Sequence, residues 1–247
     1  MKTFRISKII IAAAMSLAVI ALSGCTQGKK TLRMATNAEF PPYEYYDGNE
    51  LVGVDVDLAK AIAEDMGYKL EILDMDFGSI IPSIESDKAD IAVAGLSVTE
   101  EKLELIDFSV PYETASQLII VPNDSDISSV ADLKGKRIGV ESFTTGDIYV
   151  GEIEDVTAVD FAKCSQAIDA LKEGKIDAVV IDGEPAKVYV EREPDLKLID
   201  EPLTEEEYAI GVAKGNTALL KKINKSIENL KASGKIDEIR SKYITAE

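Results

Sequence analysis

The sequence predicts an α/β protein with mostly parallel sheets, and three observations support this prediction. Strand-like and helix-like segments alternate along the chain from Thr31 onward. The strand candidates, such as ADIAVAG and IDAVVID, are short apolar runs without the polar alternation of a half-exposed sheet. The helix candidates DLAKAIAEDMG and SQAIDALKEG both end at a glycine. This rhythm is typical of parallel sheets that helices cover on both faces.

The first half of the chain predicts elements separated by short turns. TLRMAT predicts a strand, NAEFPPYEYYDGN a loop rich in turn residues, and ELVGVDV a second strand. DLAKAIAEDMG predicts a helix with Asp57 as its N-cap and Gly67 just beyond its end. KLEILDM predicts a strand, SIIPSIESD a helix with Pro82 in its first turn, and ADIAVAG a buried strand.

The second half of the chain shows the same alternation of strand-like and helix-like segments. QLIIV, KRIGV, TAVDF, IDAVVID and EYAIGVAKGN predict strands, while SQAIDALKEG and EPAKVYVERE predict helices. A longer helix is expected over residues 217–233, and KIDEIRSKY follows as a short final helix after Gly234. Two such halves form either one wide sheet or two lobes. In the two-lobe arrangement, residues 117–121 and 208–212 are candidate crossings, and the final helix returns to the first lobe.

Length and composition narrow the functional classes. The 247 residues are enough for one large domain or two lobes of about 100 residues each, and a hydrophobic content of 46% excludes a largely disordered chain. With 45 acidic and 27 basic residues, the net charge of −18 disfavours nucleic-acid binding. Histidine is absent, which removes the commonest transition-metal ligand and the usual general base. We therefore expect no metal and no cofactor.

The N-terminus predicts export. A basic start, MKTFRISK, precedes the apolar stretch IIIAAAMSLAVIAL and the small-residue exit LSGC. The apolar stretch is shorter than the roughly 20 residues of a spanning helix. LSGC resembles a bacterial lipobox, so we expect residues 1–24 to be a lipoprotein signal peptide, Cys25 to be lipidated, and residues 25–30 to form a tether. An uncleaved anchor is the alternative. Cys164 is then left without a disulfide partner, and we expect it to be a small residue near a helix start.

The stretch AGLSVTEEK places a lysine where its charge has no local partner. Thr99 is the expected N-cap of a short helix, and Glu100 and Glu101 suit the positive end of that helix. Lys102 falls in the same first turn, with no carboxylate three or four residues away. It is either a solvated surface residue or the partner of an anion from outside the chain.

Four stretches together resemble one protein family. They are LRMATNAEFPPYEYYDGNELVGVDVDLAKAIA, DFGSIIPSIESDKADIAVAGLSVTEEKLELIDFSVPY, ADLKGKRIGV and ALKEGKIDAVVID. They are similar to the polar-amino-acid solute-binding proteins of bacterial ABC importers, and the resemblance covers nearly all of residues 31–244. It implies a periplasmic-binding-protein-like fold of type II, in which two lobes joined by two crossing strands close on one ligand. The implied lobes are residues 31–117 with 212–247, and residues 118–211.

The resemblance assigns ligand-binding positions in the first lobe. Asn37 stands where the family usually has aspartate. Phe40 and Phe77 match the aromatic pair that encloses the ligand side chain, although an isolated phenylalanine is more often a core residue. Gly95 and Ser97 match groups beside the amino and carboxylate ends of the ligand.

Lys102 occupies the position of the family arginine that holds the α-carboxylate, and a lysine there replaces a two-pronged grip with a point charge. In the second lobe, Thr144 and Thr145 match residues that close over this carboxylate. Phe143 stands where relatives often have glycine, which leaves the shape of that loop open. Asp182 matches the acid that takes the α-ammonium, unless it only caps the following helix.

Two further acids, Glu39 and Glu141, flank the expected cleft, and a cationic ligand side chain there would favour arginine or lysine as ligand. The resemblance implies an exported receptor on the outer face of the bacterial membrane, held there by lipidated Cys25. It would act as a monomer that passes a free amino acid to an ABC permease and performs no chemistry. The alternatives are an enzyme on the same scaffold, similar to cyclohexadienyl dehydratase, with Asp182 and Lys102 as acid–base candidates, or a ligand-sensing module.

Overall fold

The computed structural model describes residues 29–244 and contains two five-stranded sheets. The first sheet comprises, in spatial order, β5 (Lys69–Asp74), β1 (Thr31–Thr36), β6 (Ile91–Ala92), β15 (Gly211–Ala213) and β7 (Ile106–Phe108). Strand β1 runs parallel to β5 and β6, so that Met34 lies opposite both Ile72 and Ile91. Only β15 runs against its neighbours. The first sheet is therefore mostly parallel, as predicted.

The second sheet repeats this arrangement with a different part of the chain. It comprises β11 (Thr157–Phe161), β10 (Arg137–Glu141), β12 (Ala178–Asp182), β9 (Gln117–Pro122) and β13 (Leu196–Ile199). Strand β10 is parallel to β11 and β12, whereas β9 is antiparallel to both of its neighbours. Two separate sheets settle the choice between one wide sheet and two lobes in favour of the lobes.

A two-stranded ladder connects the lobes. Strand β8 (Glu113–Ala115) pairs antiparallel with β14 (Glu206–Tyr208), and these strands lie on the chain's path out of the first sheet and back to it. The interpretation of residues 117–121 as a crossing is wrong, because they belong to β9 inside the second sheet. Residues 117–121 are apolar because they are buried within the second sheet. A buried crossing strand would show the same apolar pattern in the sequence. The lobe boundaries after residues 117 and 211 remain a prediction, although Gln117 lies in the second sheet and Gly211 in the first.

Helices cover both sheets. They are α1 (Val54–Asp65), α2 (Ile80–Glu85), α3 (Glu100–Leu105), α4 (Thr145–Glu152), α5 (Cys164–Lys172), α6 (Gly183–Arg192), α7 (Thr217–Ala232) and α8 (Lys235–Tyr243). Ile223 of α7 and Ile239 of α8 share a buried apolar core with Leu58 and Ile62 of α1. The C-terminal helices therefore return to the first lobe, as predicted. Cys164 begins α5 as a buried free thiol.

Helix α1 begins earlier than the sequence indicates. Its N-cap is Gly53, so the prediction of Asp57 as N-cap is wrong. Gly53 has φ 129°, and a Cβ there would lie 2.0 Å from the carbonyl oxygen of Tyr43, which excludes any side chain. Asp57 lies inside the first turn, where Oδ2 accepts hydrogen bonds from Lys242 Nζ at 2.8 Å and Tyr243 OH at 2.7 Å. These two hydrogen bonds hold the C-terminal helix α8 against α1.

The predicted loop over residues 37–49 is partly a small sheet. This sheet comprises β2 (Glu39–Phe40) and β3 (Glu44–Asp47), which lie in the predicted loop, and β4 (Glu50–Val52), which begins the predicted strand ELVGVDV. The turn residues around β2 and β3 concealed these two strands. Residues 54–56 of ELVGVDV belong to α1, so that part of the strand prediction is wrong. The predicted signal peptide and Cys25 lie outside the described residues. Within residues 29–244, no helix has the length and apolar character needed to cross a membrane.

Candidate functional site

All nine residues assigned from the family resemblance line one cavity between the two sheets. Its wall contains Asn37, Phe40, Phe77, Gly95, Ser97, Lys102, Thr144, Thr145 and Asp182, together with Glu44, Ala94 and Glu141. The cavity lies beyond the carboxyl ends of β1, β6, β10 and β12. Open parallel sheets place binding groups at this edge because the loops that follow neighbouring strands converge there. The fold therefore brings together residues that are up to 145 positions apart in sequence.

Lys102 is buried at this cavity, with only 7% of its surface exposed, so it is not a solvated surface residue. Thr99 caps α3 as predicted, its Oγ1 accepting from the Lys102 amide at 3.2 Å. Lys102 Nζ donates to the Ser97 carbonyl at 3.2 Å. No carboxylate of residues 29–244 forms an ion pair with it. Burial lowers the pKa of Lys102, and the negative charges of Glu206 and Asp182 partly oppose that shift.

Glu206, which the sequence analysis missed, joins the two lobes next to Ser97 and Thr145. Its Oε2 accepts hydrogen bonds from Ser97 Oγ in the first lobe and from Thr145 Oγ1, at 2.8 Å, in the second. Thr204 Oγ1 donates to Oε1 at 2.8 Å. Glu206 lies on β14, so this carboxylate belongs to the connection between the lobes. Nothing in the acidic run EEEY distinguishes it from its exposed neighbours Glu205 and Glu207.

Asp182 lies at the N-cap position of α6, in the second lobe. Its side chain makes no capping hydrogen bond, so the capping alternative is wrong. Instead, its Oδ1 accepts a hydrogen bond from Tyr208 OH, which comes from β14. Burial, and then the negative charge of Glu206, raise the pKa of Asp182 to about 6. A buried cation beside this carboxylate would favour its ionised form.

Aromatic rings and a glycine shape the wall of the first lobe. The Phe40 ring stacks on Tyr43 at a centroid distance of 5.8 Å, and Tyr43 meets Tyr208 edge-on at 5.1 Å. Gly95 has φ 51°, and a Cβ there would lie 2.7 Å from Cε1 of Phe40. Glycine at this position therefore lets Phe40 approach the backbone that lines the cavity. Phe77, in a short 3₁₀ turn (Phe77–Ser79), is half-buried.

The other assigned side chains are held by neighbouring backbone. Asn37 Nδ2 donates to the Met75 carbonyl at 2.9 Å. Thr144 caps α4, where its Oγ1 accepts from the Asp147 amide at 3.3 Å and donates to the Glu141 carbonyl at 2.7 Å.

The backbone conformation of Phe143 shows the shape of the loop that contains Thr144, which the sequence left open. Phe143 adopts φ 69° with 71% of its surface exposed. Its ring contacts Gly78 of the first lobe, where an added Cβ would lie 2.7 Å from Cδ2 of the ring. The loop thus keeps a backbone conformation that suits glycine, with a side chain that reaches across to the other lobe.

Of the two acidic candidates, Glu141 and Glu39, only Glu141 lines the cavity. Glu141 lines the cavity, where burial raises its pKa to about 7 although the Cys164 amide donates to Oε2 at 3.1 Å. Glu39 instead forms an ion pair with Lys163 across the lobes and is not part of the cavity wall. Glu44, which the sequence analysis missed, is buried in the wall with a raised pKa. Three carboxyl groups and one lysine therefore face the cavity. Among residues 29–244 there is no group of three potential metal ligands.

Comparisons with known proteins show which family the chain belongs to. A sequence model of the bacterial extracellular solute-binding proteins, family 3, matches residues 32–246. The chain belongs to this family. Its relatives include the arginine-binding extracellular protein ArtP of Bacillus subtilis, which is 32% identical with 97% of both chains covered. A probable histidine-binding protein of Neisseria gonorrhoeae is 34% identical, with 96% of both chains covered.

Among solved structures, an ancestral arginine-binding protein bound to arginine superposes with a TM-score of 0.83. It is 42% identical, and the match covers 87% of this chain and 99% of that one. The type II fold with two lobes is thereby confirmed. The family consists of extracellular proteins, so the chain is exported. The relatives are named as binding proteins, and the chain is a solute-binding protein rather than an enzyme.

The raised pKa of Asp182 predicts how stability depends on pH without ligand. A carboxyl with an ordinary pKa near 3.9 when unfolded and about 6 when folded holds its proton more tightly in the fold. Its stabilising contribution is complete below about pH 4 and is lost as the pH rises through 6. We expect Asp182→Asn to flatten the fall in unfolding free energy between pH 4 and 7 by on the order of 2 kcal/mol.

Chemical denaturation across this pH range measures the effect. Asp195→Asn, at an exposed position of the same lobe, is the control and should keep the wild-type pH profile. Identical profiles for wild type and Asp182→Asn would contradict the prediction.

Proposed function

We propose that the protein captures a free amino acid with a cationic side chain in the interlobe cavity and delivers it to the permease of an ABC importer. One observation carries this proposal: a single buried lysine faces three carboxyl groups across one small cavity. A cationic amino acid supplies one carboxylate and two cations, which suits that imbalance. Burying any of these charges without a partner would cost several kcal/mol.

The acid end of the ligand fits beside Lys102. This ammonium has no carboxylate partner among residues 29–244 and is desolvated. An α-carboxylate would restore its pairing, and the hydroxyls of Ser97 and Thr145 lie in the same wall and would donate to this carboxylate if they turned away from Glu206. Because Ser97 comes from the first lobe and Thr145 from the second, contact with both groups requires the lobes to be closed.

The amine end fits Asp182, and the side chain fits the wall that Phe40 and Phe77 provide. A cation at the far end of the side chain would then face Glu141, whose raised pKa indicates a carboxyl without enough compensating charge. Two named relatives bind arginine or are described as binding histidine, which supports a ligand with a nitrogen-rich side chain.

The first test is a calorimetric panel of arginine, lysine, histidine, glutamine and glutamate. We expect arginine and lysine to bind most tightly and glutamate most weakly, because a second carboxylate would face Glu141. Glu141→Gln should weaken arginine binding by about tenfold, or roughly 1.4 kcal/mol, and leave glutamine binding unchanged. Glu152→Gln, at an exposed position of the same lobe, is the matched control. Absence of binding by every amino acid would refute the proposed function.

Lys102 provides a second test, because the family resemblance assigns it to the position of an arginine. Lys102→Ala leaves the buried α-carboxylate unpaired and should weaken binding by about 100-fold or more. Lys102→Arg keeps the charge and should remain within about tenfold of wild type. Titration of each variant with arginine measures the difference, and exposed Lys88→Ala is the control. Equal affinities for all forms would remove Lys102 from the site.

We propose further that lipidated Cys25 holds the mature protein on the outer face of the membrane, where it acts as a monomer. The sequence LSGC supports the anchor, and a cavity built from one chain supports the monomer. Cys25→Ser should abolish labelling by a fatty-acid analogue and move the protein to the soluble fraction. That soluble form should elute as a monomer. Retained labelling would contradict the anchor, and elution as a dimer would contradict the monomer.

A further inference from the structure

Glu44, a carboxyl group of the cavity wall, lies beside a second buried carboxyl group, Asp55, which the proposed function has not used. Glu44 begins β3 and is 1% exposed, and Asp55, in the first turn of α1, is fully buried. Their side chains are within hydrogen-bonding contact of each other. Neither forms an ion pair with a lysine or arginine among residues 29–244.

The hydrogen bonds around this pair are incomplete unless a proton is present. Asp55 Oδ2 accepts from the Gly95 amide at 2.7 Å and from Tyr112 OH at 2.8 Å. Asp55 Oδ1 and Glu44 Oε2 have no donor from any other described group. Two ionised carboxylates in contact would repel each other strongly in such an environment. One shared proton turns Glu44 into a donor and satisfies both oxygens.

The surroundings favour that proton. The charged groups that face Glu44 are Asp182 and Glu141, and Glu113 faces Asp55; all are acidic. Of the basic groups nearby, Lys102 lines the same cavity wall as Glu44, and Arg240 is bound to Glu113 at 2.9 Å. Tyr112 is the remaining titratable contact, and burial raises its pKa so that it stays a neutral donor. Burial also raises the pKa of Glu44 well above its usual range and that of Asp55 to about 6.

Glu44 also lines the cavity beside Asp182 and Glu141, so one member of the pair faces the ligand. We infer that Glu44 and Asp55 share one proton in the ligand-free protein, and that a cationic group entering beside Glu44 displaces this proton to solvent. The O–H bond of the pair breaks, the buffer accepts the proton, and the cation of the ligand takes its place beside the carboxylate. The inference rests on the proposed function.

This exchange makes Glu44 a specificity-determining residue and couples affinity to pH. Release of one proton raises the affinity by about tenfold per pH unit over the interval in which the proton is lost. The same pair holds Gly95 through its amide, so the charge on the pair acts on the backbone that lines the cavity. A ligand without a cation near Glu44 would leave the proton in place.

Calorimetry with L-arginine at pH 8, in two buffers of different ionisation enthalpy, tests the inference. At this pH, Asp182 and Glu141 are mostly ionised already, because their pKa values are about 6 and about 7. We expect wild type to release roughly one proton more per bound arginine than Glu44→Gln does. Any change in the protonation of Lys102 is common to both forms and cancels in that difference. Glu50→Gln, an exposed substitution in the same small sheet, should match wild type.

Infrared difference spectroscopy of wild type at pH 8 provides a second measurement that does not depend on how Glu44→Gln folds. Arginine should remove the C=O stretch of one protonated carboxyl group. The inference is overturned if that band persists, or if Glu44→Gln releases as many protons as wild type. In either case arginine binding itself would still stand. If wild type binds no amino acid, the proposed function and this inference fail together.

Discussion

Around one small cavity, buried carboxyl groups outnumber buried cations, and the rest of the site depends on this imbalance. Glu44, Glu141 and Asp182 face the cavity, and the only lysine in its wall is Lys102. Burial raises the pKa of each carboxyl and lowers that of the lysine, so it disfavours the charged form of every one of these groups. Such a site gains stability when charges of the opposite sign arrive in a matching arrangement. Capture of a charged solute is the function that this imbalance favours.

The connection between the lobes takes part in the site. Strand β14 supplies Glu206, whose carboxylate accepts hydrogen bonds from Ser97 and Thr145 in different lobes. It also supplies Tyr208, which donates to Asp182 in the second lobe and packs against Tyr43 in the first. The groups proposed for both ends of the ligand are therefore anchored to one short strand. A change in lobe angle about β8 and β14 would alter both ends of the site together.

Lys102 shows how local and long-range effects combine. Its position follows from the Thr99 cap, which fixes the first turn of α3. Its ammonium reaches the Ser97 carbonyl, five residues earlier in the chain, while Thr144, Thr145 and Asp182 of the second lobe line the same cavity. An arginine would present a planar fork here, whereas lysine presents one compact charge. With lysine at this position, the surrounding carboxyl groups and the aromatic wall therefore contribute more to ligand selectivity than they would beside an arginine.

The sequence by itself determined the α/β class, most strands and helices, the Thr99 cap and the return of the C-terminal helices. These features follow from local periodicity and turn chemistry, which a short window of residues contains. Family motifs also indicated the nine cavity residues. Only the tertiary structure decided that residues 117–121 form a sheet strand rather than a crossing, that Glu206 joins the lobes, and that Glu44 contacts Asp55. An acidic residue is usually solvated, and only the approach of distant segments reveals that one is buried and lacks a counter-charge.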